Sequence, residues 1–218
     1  IKVMDAVRAK EPDASREKGG KALWIGGLCC GVVLFLASTL QQVGLLYTTA
    51  GKAGFITALY IVLVPILGLF FGRKTGAALW ISVALAVVGM YFLCMTGSLS
   101  LGRGEALCML CALFFAVHIT VIDHFSPNVD GVRMSCIQFF VCGGLSAVLM
   151  FLFEKPDIHK IAAAWLPILY TGVLSSGVAY TLQIVAQKNV NPTVASLLMS
   201  LESVFSALAG WAILGQGL

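Results

Sequence analysis

The sequence predicts an all-α integral membrane protein, a helical bundle built from inverted repeats. Three observations predict it. Of the 218 residues 59% are apolar and only 11% charged, whereas a soluble domain has about a quarter of its residues charged. The apolar residues gather into seven runs of membrane-spanning length, and two of these runs recur later in the chain. A run of about 20 apolar residues crosses a hydrocarbon layer roughly 30 Å thick. In lipid such a run must be a helix, because every backbone polar group has to be paired within it.

The seven runs, spans A to G, cover residues 22–47, 53–71, 76–95, 104–122, 134–153, 162–186 and 192–214. Residues 1–21 precede them and contain "AVRAKEPDASREKGGK", which has no apolar core and so is not a secretory signal. It reads as a cytoplasmic polar loop. The other connections are short, so no soluble domain is expected between spans. The net charge of +4 does not indicate a nucleic-acid partner, because the basic residues sit at span ends, where they set orientation. Lys2, Arg8, Lys10, Arg16, Lys18 and Lys21 put the start of span A in the cytoplasm. Threading forward leaves Arg73, Lys74, Arg133 and Lys188 inside and Lys52, Arg103, Lys155 and Lys160 outside. The orientation therefore rests on the N-terminal run. The cysteines (Cys29, Cys30, Cys94, Cys108, Cys111, Cys136, Cys142) all fall in or at the ends of spans. Only Cys108 and Cys111 have a C-x-x-C spacing, with no second pair or histidine to complete a zinc site. Buried free thiols are expected, with no metal and no cofactor.

The repeat appears when the chain is shifted by 142 residues, which sets Gln41 on Gln183. "ASTLQQV" in span A then meets "AYTLQIV" in span F, and "AGFITALYIVLVPILG" in span B meets "ASLLMSLESVFSALAG" in span G. The Thr-Leu-Gln triplet recurs in register, and Ala53/Ala195, Leu59/Leu201, Val62/Val204 and Gly68/Gly210 also match. Span F comes five spans after span A, so the copies cross the membrane in opposite directions. Secondary transporters recurrently use this plan, with sites near the midplane between the repeats. If A pairs with F and B with G, the partner of C follows Leu218 and the partners of D and E precede Ile1. The expectation is that these are spans three to nine of ten. Residues 22–95 would be the last three helices of the first repeat, and 104–214 the first four of the second.

At these residues the chain resembles the EamA-type transporters of the drug/metabolite transporter superfamily. The resemblance is carried by "YTTAGKAGFITALYIVLVPILG", "ALFFAVHITVIDHFS" and "NPTVASLLMSLESVFSALAGWAILGQ". It implies ten helices in two inverted five-helix halves around a central cavity reached alternately from either side. It also implies a bacterial or archaeal cytoplasmic membrane and small organic metabolites as cargo. Gln216 departs from the family pattern, which often has a Glu at the end of the ninth helix.

Glu202 is the first candidate for a role in transport. An ionisable group inside a span costs about 2.5 to 3.5 kcal/mol on insertion scales and usually faces a cavity or a partner. Glu202 lies about ten residues into span G, some 15 Å along the axis at 1.5 Å per residue, where its carboxylate would meet a solute, carry the coupling proton, or lock G to another helix. His118 in span D has a side chain suited to proton relay, but its place near Asp123 and His124 also suits a capping or interfacial role. Gln41 and Gln183 occupy matching repeat positions, as helix glue or as cavity lining. Tyr47, Tyr60 and Tyr180 offer hydroxyls and rings, or interfacial anchors. Of these, Tyr60 aligns with Glu202 in the repeat. Pro65 is the expected kink in span B. Asn191 and Pro192 read as the cap and first turn of span G. Gly27/Gly31 and Gly68/Gly72 are G-x-x-x-G pairs read as helix packing.

The leading reading is a secondary transporter that exports a small organic metabolite or drug-like solute. Its partners would be the lipid bilayer and the solute, with protons as the coupling ion. No phosphate-binding loop G-x-x-x-x-G-K-[ST] occurs, so an internal ATP motor is not expected. The alternative is a seven-helix receptor or sensor. A retinal protein, however, needs a lysine within a helix, and the lysines here lie at span ends. An intramembrane enzyme would need a nucleophile and base on one helix face, and no such spacing is present.

Overall fold

The computed structural model describes residues 13–72, 76–94, 102–154, 156–188, 190–202 and 205. The elements, in order, are α1 (Asp13–Leu45), α2 (Ala50–Ala58), α3 (Tyr60–Phe70), α4 (Ala77–Cys94), α5 (Arg103–Phe125), a 3₁₀ turn (Ser126–Asn128), α6 (Gly131–Phe153), α7 (Ile158–Ala163), α8 (Trp165–Leu169), a π-helical segment (Tyr170–Tyr180), α9 (Thr181–Gln187) and α10 (Pro192–Met199). Among the described residues, five helical stretches are long and apolar enough to cross a membrane: Gly20–Leu45, Gly51–Phe70, Arg103–Asn128, Gly131–Phe153 and Trp165–Gln187. They correspond to spans A, B, D, E and F. Span C forms α4, and the described part of span G is α10 with Leu201, Glu202 and Phe205. Arg73, Lys74, Lys155, Gly210 and Gln216 lie outside the described residues.

Helix begins earlier than composition suggests. The stretch read as a polar loop is already helical from Asp13, because Ala14, Arg16, Glu17 and Lys18 are all good helix formers. Loops are capped where the sequence supplies acceptors. Asp130 Oδ1 accepts from the amides of Val132 and Arg133, and Asn191 Oδ1 accepts from Thr193 N, with Pro192 in the first turn of α10.

Glycines set how closely α1 approaches its neighbours. A Cβ on Gly27 would lie 2.6 Å from the Cβ of Ile137, and one on Gly31 would lie 2.6 Å from the Cβ of Val141. Gly27/Gly31 is thus a seam between α1 and α6, and the matched register makes these two helices parallel. Against α5 the register runs the other way. A Cβ on Gly26 would meet the Phe125 ring at 2.9 Å, and one on Gly44 the Cys108 sulfur at 2.8 Å. The helices α1 and α5 are therefore antiparallel and cross where Gly44 faces Gly104. At that end Thr48 Oγ1 donates to Glu105 Oε1 at 2.8 Å, while Glu105 Oε2 accepts from Gly102 N. Gly72 is no packing position. It has φ +73°, and a Cβ added there would have no neighbour within 4 Å; it is the left-handed turn residue that ends α3.

The helices α6 and α9 are antiparallel in turn. Ser135 meets Thr181 at 2.7 Å, and a Cβ on Gly131 would meet Ile184 at 3.2 Å. Since α1 runs with α6 and α9 against it, the two Thr-Leu-Gln copies point in opposite directions. The core lies between these elements. One cluster joins Ile61, Val64, Val83, Ala112, Ala116 and Ile119 of α3, α4 and α5. A second joins Cys30, Ile122, Met134 and Ile184. Outward-facing apolar side chains such as Phe140, Phe151 and Phe153 (84, 72 and 80% exposed) form a surface that hydrocarbon, not water, solvates.

The cysteines divide between these environments. Cys30, Cys108 and Cys111 are buried free thiols, but Cys29 and Cys136 are exposed on the outside of the bundle, where lipid takes the place of protein packing.

Candidate functional site

Both repeat-related helices are interrupted within one residue of the same repeat register. In span B, α2 ends at Ala58 and α3 begins at Tyr60, with Leu59 between them bonding its N–H to Ile56 O at 3.2 Å. In span G, α10 ends at Met199 and Ser200 forms the turn, with Ser200 N donating to Ser196 O and Ser200 Oγ to Leu197 O. The expected kink at Pro65 is displaced. Helix α3 continues through Pro65, and the break falls six residues earlier. Tyr60 follows the first break immediately and Glu202 follows the second by two residues. Such interruptions turn side chains and freed backbone groups toward an interior site.

The two breaks open onto one cavity of about 540 Å³, within the ~300–1,000 Å³ typical of small-molecule sites. Gln41, Tyr60, Tyr180, Gln183 and Glu202 all line it. They come from α1, α3, the end of the π segment, α9 and span G, so four separate spans meet at one space. Three repeat-related pairs contribute: Gln41 with Gln183, Thr57 with Met199, and Tyr60 with Glu202. Phe115 of α5 and Ser175 and Ala179 of the π segment complete the wall. Glu202 lies within electrostatic reach of both the Tyr60 and Tyr180 hydroxyls. The Tyr60 and Phe115 rings stand 6.4 Å apart, tilted by 54°. Among the described lining residues there is no lysine, arginine or histidine.

His118 does not line the cavity, and it lies within the body of its helix rather than at a cap. It is fully buried on α5, and its Nε2 lies 2.8 Å from Gln138 Oε1 on α6. The imidazole and the amide are thus hydrogen-bond partners across the two helices. Tyr180 stands edge-on to His118 at 6.1 Å and to Phe139 at 6.5 Å. The imidazole thus forms the layer behind a cavity-wall tyrosine. Tyr47 is 61% exposed and lies away from the cavity.

Sequence reasoning missed Thr57, Phe115 and Ser175. The repeat itself would have flagged the first, since Thr57 aligns with Met199 and lies one turn before Tyr60. Phe115 lies one turn before His118, but nothing in span D alone marks which aromatic faces inward. Ser175 depends on the π segment, whose wider turn changes which residues share a face.

The π segment has local causes. Pro167 lacks an N–H, Thr171 Oγ1 donates back to Pro167 O at 2.7 Å, and Gly172 and Gly177 loosen the backbone. The α-helical register resumes where Thr181 Oγ1 donates to Gly177 O at 2.6 Å. Thr181 then accepts from Ser135, which pins the junction to α6.

Comparison with known proteins agrees with this architecture. A protein of Archaeoglobus fulgidus named as an uncharacterized transporter is 36% identical over 192 residues, covering 87% of this chain. The chain spans 61% of that relative's length. A crystal structure superposes with a TM-score of 0.75 at 19% identity, covering 94% of this chain and 74% of the other, which shows a shared fold. The model of the EamA-like transporter family matches residues 102–218, more than half of the sequence. Together with the all-helical, multi-pass membrane architecture, that match makes the chain a member of the EamA-like transporter family.

Proposed function

We propose that the protein is a secondary transporter in which the Glu202 cavity receives the solute. In this reading it exports a small organic metabolite or drug-like molecule across a bacterial or archaeal cytoplasmic membrane. The observation that carries the reading is the convergence of three repeat-related residue pairs on one cavity at the breaks of two repeat-related helices. Alternating access follows from that pseudo-symmetry: rocking one half against the other exchanges which side the cavity faces without remaking the site. The N-terminal basic run sets the start of span A in the cytoplasm. Gln41 and Gln183 act as matched amide contacts, Tyr60 and Tyr180 as walls, and the breaks before Tyr60 and Glu202 as flexing points. Glu202 supplies the one carboxylate among the described lining residues, and a proton leaving it couples solute movement to a gradient.

The test uses the full-length protein reconstituted in liposomes. A panel of labelled small amines, amino acids and neutral metabolites is screened with and without an imposed pH gradient. The wild type is expected to move at least one panel member saturably and in response to the gradient. Glu202→Gln is expected to lower that rate at least tenfold while inserting to the same level. A mutant rate equal to wild type would reduce Glu202 to helix glue, and a gradient without effect would remove proton coupling.

A further inference from the structure

We infer that the cavity is selective for small organic cations carrying an aromatic or apolar group. The inference deepens the transporter reading and rests on the cavity being the solute site. It is carried by the distribution of charge and rings around one space. Glu202 lines the cavity together with two phenols, Tyr60 and Tyr180, and with Phe115 tilted against Tyr60. The described lining residues offer no cationic side chain to neutralise that carboxylate. Sequence extends the point. From Pro192 to Leu218 the chain has no lysine, arginine or histidine, and Glu202 is its only carboxylate. His118 does not line the cavity, and its Nε2 is engaged with Gln138 Oε1.

A carboxylate with no cationic side chain among the described residues that line its cavity favours a solute that brings the positive charge with it. Ring faces add a second attraction for the same charge, since the quadrupole of Tyr and Phe is negative at its face. The apolar part of the solute is accommodated by Phe115, Leu198, Met199 and Phe205. An anion would meet Glu202 with no compensating charge, and a neutral analogue would leave the carboxylate unpaired.

Three probes of matched size separate these cases: 2-phenylethylammonium, 2-phenylethanol and phenylacetate. Binding of each to the full-length protein in detergent is measured by equilibrium dialysis, and uptake of each is measured in proteoliposomes. The ammonium is expected to bind at least tenfold more tightly than the alcohol, about 1.4 kcal/mol, and phenylacetate more weakly still. Glu202→Gln is expected to erase the preference for the ammonium over the alcohol while the protein remains monodisperse. The wild-type charge series stands as the test should that variant fail to fold. Equal binding of the three probes, preference for phenylacetate, or an undiminished ammonium preference in Glu202→Gln would each overturn the inference. The two readings fail differently. Saturable uptake of a neutral or anionic probe without the ammonium preference defeats cation selectivity and leaves transport standing. Selective ammonium binding, with no probe crossing the liposome membrane, defeats transport and leaves the cation site standing.

Discussion

Spans A and F share the Thr-Leu-Gln triplet and the same place in their repeats, yet they fold differently. Span A is part of one uninterrupted α-helix, Asp13–Leu45. Span F is divided into α8, an eleven-residue π segment and α9. The alignment names the differences. Where span A has Ile25, Cys30 and Phe35, span F has Pro167, Gly172 and Gly177. Where span A has the seam glycines Gly26, Gly27 and Gly31, span F has Ile168, Leu169 and Val173, each about half exposed. Glycine on the outer face of a straight helix brings a neighbouring backbone close, whereas proline and glycine spaced through the helix loosen its own hydrogen-bond ladder. The same repeated pattern thus yields a packing post in one half and a cavity wall in the other.

The largest expected effect comes from placing the span F residue on the span A seam. Gly31→Val puts a branched side chain where even a Cβ would lie 2.6 Å from Val141 and 2.8 Å from the Gln138 carbonyl oxygen. Overpacking of a tight contact costs about 1–3 kcal/mol, and here backbone must move as well. Thermal unfolding in detergent is expected to show a clear fall in midpoint, with reduced yield. The reciprocal change, Val173→Gly, removes an exposed side chain and is expected to cost only the ~1 kcal/mol typical of a glycine in a helix interior. Equal losses for both variants would mean that the two spans are packed alike.

Much of this contrast was already written in the sequence, because polar and small residues are conspicuous against an apolar background. The spans, the inverted repeat and the convergence of Gln41, Gln183, Tyr60 and Glu202 are all legible from a shift that aligns one triplet. What stayed hidden are the features set by neighbours. The His118–Gln138 pair joins α5 to α6, and neither span signals the other. The break at Leu59 lies away from Pro65, the residue that propensity marks, and its counterpart in the other repeat is the turn at Ser200, one residue off in register. The π segment is built from a proline, two glycines and two threonine back-bonds, each of which is tolerated singly in a membrane helix.

A middle-sized effect should follow from straightening span F. Gly172→Ala adds a methyl group with nothing within 4 Å to oppose it and favours regular helix by about 0.5–1 kcal/mol. The unfolding midpoint is expected to hold or rise slightly. Transport of the best panel solute is expected to fall several-fold, because Ser175, Ala179 and Tyr180 reach the cavity from π geometry. Transport at the wild-type rate, with stability raised, would show that the π segment is a passive consequence of its glycines.

The smallest expected effect concerns the junction where π geometry returns to α. Thr181 donates to the Gly177 carbonyl, so Ser135 must be the donor in the 2.7 Å contact between the two hydroxyls. This bond joins α6 to the Thr-Leu-Gln copy in span F, and interhelical bonds of this kind average about 0.6 kcal/mol in membrane proteins. Ser135→Ala should therefore lower stability by about that amount and leave the Thr181 back-bond intact, whereas Thr181→Val removes both bonds. In a double-mutant cycle read by unfolding in detergent, the coupling between the two positions should match the single interhelical bond. Coupling indistinguishable from zero would mean that α9 is held against α6 by packing alone, through Gly131 against Ile184 and Val185. The straight and the loosened spans would then be fastened to the bundle by the same means, small residues beneath large ones, and would differ only in which partner supplies the glycine.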